Sequence, residues 1–196
     1  MKRFLSFATL SLVLLALFGC AHPITMNPDL TLVRSEGGAV IDKAVGFHIP
    51  DSAKAIEVTT GGGGGDKVRY FPYRDLEPGF YKALGESFRS VSKIANPKDA
   101  AAIASSGITL LITPEITTSS SSESIVTWPP TQFTVNLVCT VVDAKGVPVT
   151  VVRASGYGRA TFDEFKTNFS LAAVRASNDA LRLLVKALQE SPALRQ

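Results

Sequence analysis

The chain has 196 residues, 45% of them hydrophobic, with 20 basic and 17 acidic side chains and two cysteines. That is enough apolar material for one domain with a sizeable core, and too few cysteines for a disulfide-stapled scaffold. A net charge of +3 is too small to call for a nucleic-acid partner.

Lys2 and Arg3 open the chain, Phe4 to Phe18 carries no charge, and Gly19-Cys20 closes the run. A basic start, a short apolar stretch and a small residue at its end are the layout of an export signal, predicted over residues 1–19. A membrane-spanning helix needs about 20 apolar residues, and this run falls short with no basic stop behind it. Leu17-Phe18-Gly19-Cys20 resembles the lipobox of bacterial lipoproteins. The resemblance implies cleavage before Cys20, lipidation of its thiol and acylation of the new N-terminus. Ala21, where an aspartate would favour retention at the inner membrane, implies the periplasmic face of the outer membrane. Several acyl chains, each contributing about 0.8 kcal/mol per buried CH2, would make that anchor effectively permanent. Losing the signal reduces the balance to 18 basic against 17 acidic side chains. A lipidated Cys20 cannot pair, so Cys139 is left as a lone thiol.

Residues 20–38, "CAHPITMNPDLTLVRSEGG", hold two prolines and no sustained periodicity, and read as a lipidated end and flexible tether reaching about 20 to 25 Å. A single periplasmic domain is expected over 39–196. Its first strand is placed at Ala44 to Ile49 and a second at Lys67 to Tyr73, on either side of the glycine run Gly61 to Gly65. That run lacks the Gly-Lys-Ser/Thr ending of a phosphate loop and reads as a hairpin tip. Acidic Asp75 and Glu77 with Pro78, then Phe80, Leu84 and Phe88 at intervals of four, predict an amphipathic helix. A short strand over Ser90 to Ala95 follows, then a helix over Lys98 to Ser105 capped at Asn96-Pro97, and a strand over Ile108 to Ile116 in which Pro114 marks a bulge or an edge.

The clearest pattern is Phe133, Val135, Leu137, Cys139 and Val141 alternating with more polar neighbours. Asp143-Ala144-Lys145-Gly146 then supplies a turn into a returning strand at Val147 to about Ala160. A long alanine-striped helix, with Ala172, Ala173, Ala176, Ala180 and Leu184 on one side, closes the chain. The expected fold is α/β or α+β: a mixed sheet with an antiparallel C-terminal hairpin, packed by two or three helices.

Little here spells out chemistry. His22 lies in the tether and His48 in a strand, so neither is a preorganised base; Asp163 and Glu164 fit a turn into the last helix; Cys139 fits a buried hydrophobe. No metal-ligand or nucleophile-elbow motif appears, and no catalytic residue, metal or cofactor is expected. Trp128, Pro129 and Pro130, behind a serine-rich run, form a rigid aromatic patch suited to a protein partner or to capping the core. The lipobox with this architecture resembles small YajG-like and transporter-accessory lipoproteins. That resemblance implies a non-enzymatic, membrane-anchored module with an envelope protein as partner. A carrier or sensor of a small apolar ligand and a periplasmic hydrolase are the alternatives.

Overall fold

The computed structural model describes residues 21–61, 67–122 and 130–196. Its centre is a five-stranded mixed sheet in the order β5-β2-β6-β7-β8, formed by β2 (Ile41–Phe47), β5 (Phe88–Lys93), β6 (Leu110–Ser121), β7 (Gln132–Asp143) and β8 (Pro148–Arg159). β2 runs parallel to both β5 and β6, and β6, β7 and β8 are antiparallel. Three short strands, β1 (Ala21–Pro23), β3 (Val58–Gly61) and β4 (Lys67–Tyr70), make a second sheet in the order β1-β4-β3.

Two long helices cover one face of the large sheet: α2 (Pro72–Ser87) and α5 (Leu171–Gln189). The remaining helices are short, α1 (Asp51–Lys54), α3 (Ala100–Ser105) and α4 (Phe162–Thr167). The predicted alternation on β7 is met: Phe133, Val135, Leu137, Cys139 and Val141 are all buried against the helices. On the far face Ile94, Ile103, Ile108 and Leu111 form a smaller cluster under α3. The fold is thus α+β, as expected from the mixture of alternating and helical periods.

Pro114 marks an edge. Its partner is Cys139 on β7, and on the other side β2 has already ended, its pairing with β6 stopping at Ile112. The missing N–H of a proline is harmless there. Two residues on, Ile116 N–H donates to the Tyr73 hydroxyl at 3.1 Å, a side chain taking over where the strand stops.

Helix α5 lies unusually close to β8. A Cβ on Gly156 would fall 2.1 Å from Ala180 N, and one on Gly158 would fall 2.0 Å from Ala172 O. Glycine on the strand and the alanine stripe on the helix are two halves of one contact, which side chains larger than a hydrogen would push apart.

Residues 21–38 are not a tether. β1 pairs in parallel with β4 from Ala21, and Ile24, Met26 and Val33 are buried. Thr25 N–H donates to Ser170 Oγ at 3.0 Å and Met26 N–H to Asp75 Oδ2 at 3.1 Å. Further on, Ser35 N–H meets Glu86 Oε2 at 3.0 Å, and Glu36 pairs with Arg182 at 3.1 Å. The segment is a strap laid over α2 and α5. It carries no periodicity because its buried side chains plug gaps between two helices instead of lining one face of an element.

Other elements move by a few residues. The helix expected from Lys98 starts at Ala100, with Asp99 as its cap: Asp99 Oδ1 accepts from Ala102 N–H at 3.0 Å, while Asn96 only closes the turn before it. Asp163 and Glu164 begin a helix, α4, where a turn was expected.

Candidate functional site

Cys20, Trp128, Pro129 and most of the glycine run lie outside the described residues; Pro130 is described and is buried just ahead of β7. Thus no surface patch is formed by Pro130. His22 sits in β1, and His48 directly follows β2, where its Nδ1–H donates to Ile94 O at 2.8 Å and ties the end of that strand to the end of β5. Burial pushes the Cys139 thiol up to about 12, so it behaves as a small apolar side chain.

The acidic pair is structural. Glu164 Oε2 accepts from Thr161 N–H at 2.9 Å and Thr161 Oγ1 accepts from Glu164 N–H at 3.3 Å, a reciprocal capping box. The same carboxylate takes two hydrogen bonds from Arg175, at 3.1 and 2.8 Å, and Arg175 also donates to Arg159 O at 2.7 Å. The guanidinium first, and then the Thr161 backbone, hold Glu164 down at about 2. Among the described residues no three His, Cys, Asp or Glu side chains are grouped as metal ligands would be.

A roomy surface feature lies along α2. Between that helix, the end of β2 and the strap runs a groove of about 580 Å³ lined chiefly by apolar atoms. Phe47 forms its floor, with Pro78 beside it, and half-exposed Tyr81 and Leu30 form its walls. The Phe47 and Tyr81 rings are tilted together with centroids 5.9 Å apart, and Phe80 meets Phe47 edge-on from the core side. Phe80 and Tyr81 are held by α2 and Phe47 by β2, not by a loop, so little ordering would be needed to use them.

Charges rim the groove. Lys93 Nζ lies 2.6 Å from Glu77 Oε1, off hydrogen-bond geometry, and Lys54 Nζ is 3.7 Å from Oε2. At the other end Lys82 pairs with Glu86, whose carboxyl is held below its ordinary value by Lys82 and by the Ser35 backbone. The site therefore offers an apolar wall framed by paired, not isolated, charges. It suits binding of an apolar body with a polar edge.

The sequence gives one hint of this groove. Tyr81 falls just off the Phe80 and Leu84 stripe that packs α2 on the sheet, an aromatic with no place in the core, and Phe88, expected on the same helix, opens β5 instead. Leu30 and Phe47 could not be joined to it, because their meeting depends on the strap lying down.

No family model matches the chain, and no curated protein matches it. Among solved structures, protein XCC0632 from Xanthomonas campestris, assigned to family DUF330, is similar with a TM-score of 0.52 at 10% identity, covering 88% of this chain and 91% of that one. A protein from Caulobacter crescentus described as a candidate lipoprotein gives 0.33 at 12% identity over 58% of this chain and 77% of its own. The PelC dodecamer from Paraburkholderia phytofirmans gives 0.36 at 14% identity over 74% and 94%. At these identities the likeness is one of fold, and this chain shares its overall fold with the Xanthomonas protein.

Proposed function

We propose that the protein is a lipoprotein anchored through Cys20 to the periplasmic face of the outer membrane, acting without catalysis as an accessory module of envelope assembly or transport. The anchor reading is supported by Leu17 to Cys20 behind a basic, apolar leader. Among the described residues no helix is long and apolar enough to cross a membrane, which fits attachment by lipid. The observation that carries the binding reading is the groove on α2, where Tyr81 and Leu30 stand half-exposed over Phe47. Its occupant on this reading is an apolar segment of an envelope protein.

Two measurements test it. Cys20→Ser should abolish incorporation of labelled palmitate and release the protein from the membrane fraction; unchanged labelling would refute the anchor. A photo-crosslinking side chain at Tyr81 should capture a protein in cells, whereas one at exposed Tyr157 on the opposite face of the sheet should not. Equal capture at both positions would remove the groove from the proposal.

The groove also favours a second reading, a carrier of a small apolar ligand, because its volume lies in the range of small-molecule sites, about 300 to 1,000 Å³. Native mass spectrometry of protein purified from membranes should then show a bound small molecule that Tyr81→Asp loses.

A further inference from the structure

We infer that the end of the domain carrying Ala21 and helix α4 rests directly on the lipid bilayer, with Phe162 and Phe169 at the level of the headgroups. The inference rests on the Cys20 anchor proposed above. It adds what the anchor alone does not give, an orientation and a contact surface.

The first argument is how tightly Ala21 is held. Ala21 is paired with Lys67 and is one residue from Cys20, about 3.8 Å between Cα atoms. A free tether of residues 20–38 would let the body stand off by about 20 to 25 Å. Here the strap is pinned to Arg69, Ser170 and Asp75 within the next few residues. The acyl chains therefore hold one end of the domain, with no slack between.

The second argument is what else sits at that end. Ala21 and Gly61 share the register position of Lys67, and Gly61 O accepts from Ser120 Oγ at 2.6 Å, which brings in the last residues of β6. Ser121 pairs with Gln132 and Gln132 with Arg159, so the end of β8 lies there too. Helix α4 follows β8 immediately, beyond the last rung of the sheet, and the chain then returns through Ser170, the residue that Thr25 touches.

The third argument is composition. Phe162 is 53% exposed and Phe169 45% exposed, and they are the only strongly exposed phenylalanines among the described residues. Both lie on this end. Lys166 Nζ stands 4.9 Å from the centre of the Phe162 ring, and its other partner, Asp163, is 2.7 Å away. Glu164 is neutralised by Arg175, and Lys67 is exposed nearby. Aromatic side chains with paired charges and a surplus lysine suit a membrane interface carrying anionic lipid better than they suit open water.

The opposite end provides the control. The turn around Lys145 joins β7 and β8 at the far end of twelve-residue strands, roughly 40 Å away.

The test uses the full lipidated protein in vesicles of phosphatidylethanolamine and phosphatidylglycerol with a headgroup nitroxide. A fluorophore is attached at Lys166→Cys or at Lys145→Cys, the native Cys139 being buried. Quenching should be several-fold stronger at 166 than at 145. It should fall at 166 when a glycine-serine segment of about 20 residues, reaching roughly 25 Å, separates Cys20 from Ala21. Equal quenching at both positions, or none at 166, with palmitate labelling intact, would overturn this orientation while leaving the anchor standing. Loss of palmitate labelling in the unaltered chain would take both down.

Discussion

Glu164 closes a capping box on Thr161 and at the same time grips Arg175, so one carboxylate joins the start of α4 to the side of α5. Its pKa, about 2 in the fold against an ordinary 4.5, sets the sign of its contribution. A depressed carboxyl stabilises the fold fully above 4.5, and that share is lost as pH falls toward 2. Glu164→Gln should therefore lower the urea midpoint most at neutral pH, and the gap from the wild type should close between pH 4.5 and 2. A gap that stays constant over that window would mean that the charge has no part in it. Asp75 is a different case, a buried carboxylate whose Oδ2 accepts Met26 N–H. Asp75→Ala leaves that buried N–H without a partner, at about 1–3 kcal/mol. Amide exchange at Met26 should speed up in the variant by more than exchange in β7; if the two change equally, the strap owes nothing special to Asp75.

The contact between β8 and α5 shows how sequence can encode an approach of two elements. Gly156 and Gly158 alternate with Ser155, Tyr157 and Arg159, and the alanines of α5 recur every four residues. Gly158→Ala would drive a methyl into the Ala172 carbonyl, an atom of helix backbone that cannot swing away. The expected loss lies at the upper end of about 1–3 kcal/mol, read as a drop in urea midpoint; Gly85→Ala on α2, with open space around it, should cost nothing or stabilise slightly. The stripe of alanines, the alternation on β7 and the Asp143 to Gly146 turn were legible because each is a local pattern facing one surface. Gly146 takes a φ of 83° and its N–H donates to Asp143 O, as that turn chemistry requires. β1, β3 and α1 were not legible, since elements of three or four residues are too short to show a period. The groove on α2 was not legible, because its walls, Tyr81, Leu30 and Phe47, are brought together by tertiary packing.

At the scale of the molecule, the strap decides what folds with what. Residues 21–38 cross both long helices, from β4 at one end to Gln189 at the other, where Ser35 Oγ donates to Gln189 Oε1 at 3.0 Å. If the strap were an independent tether, damage to it would leave the sheet's stability untouched. If it is part of the core, the damage must be felt at β7, on the far side of the helices. Met26 and Cys139 provide the two probes: Met26 is fully buried under the strap, and Cys139 is fully buried on β7 with its thiol pushed up to about 12. Such a thiol reacts with an alkylating reagent only when the protein opens, so the labelling rate follows the open population when reclosing is fast. Met26→Ala removes a buried side chain and should cost about 2–5 kcal/mol. With each 1.4 kcal/mol worth tenfold, labelling of Cys139 should accelerate by roughly 30-fold or more. An unchanged rate would mean that the strap detaches without opening the core, and the direct seating of the domain on the bilayer would lose its footing, because a strap that peels away freely gives the anchor back its slack.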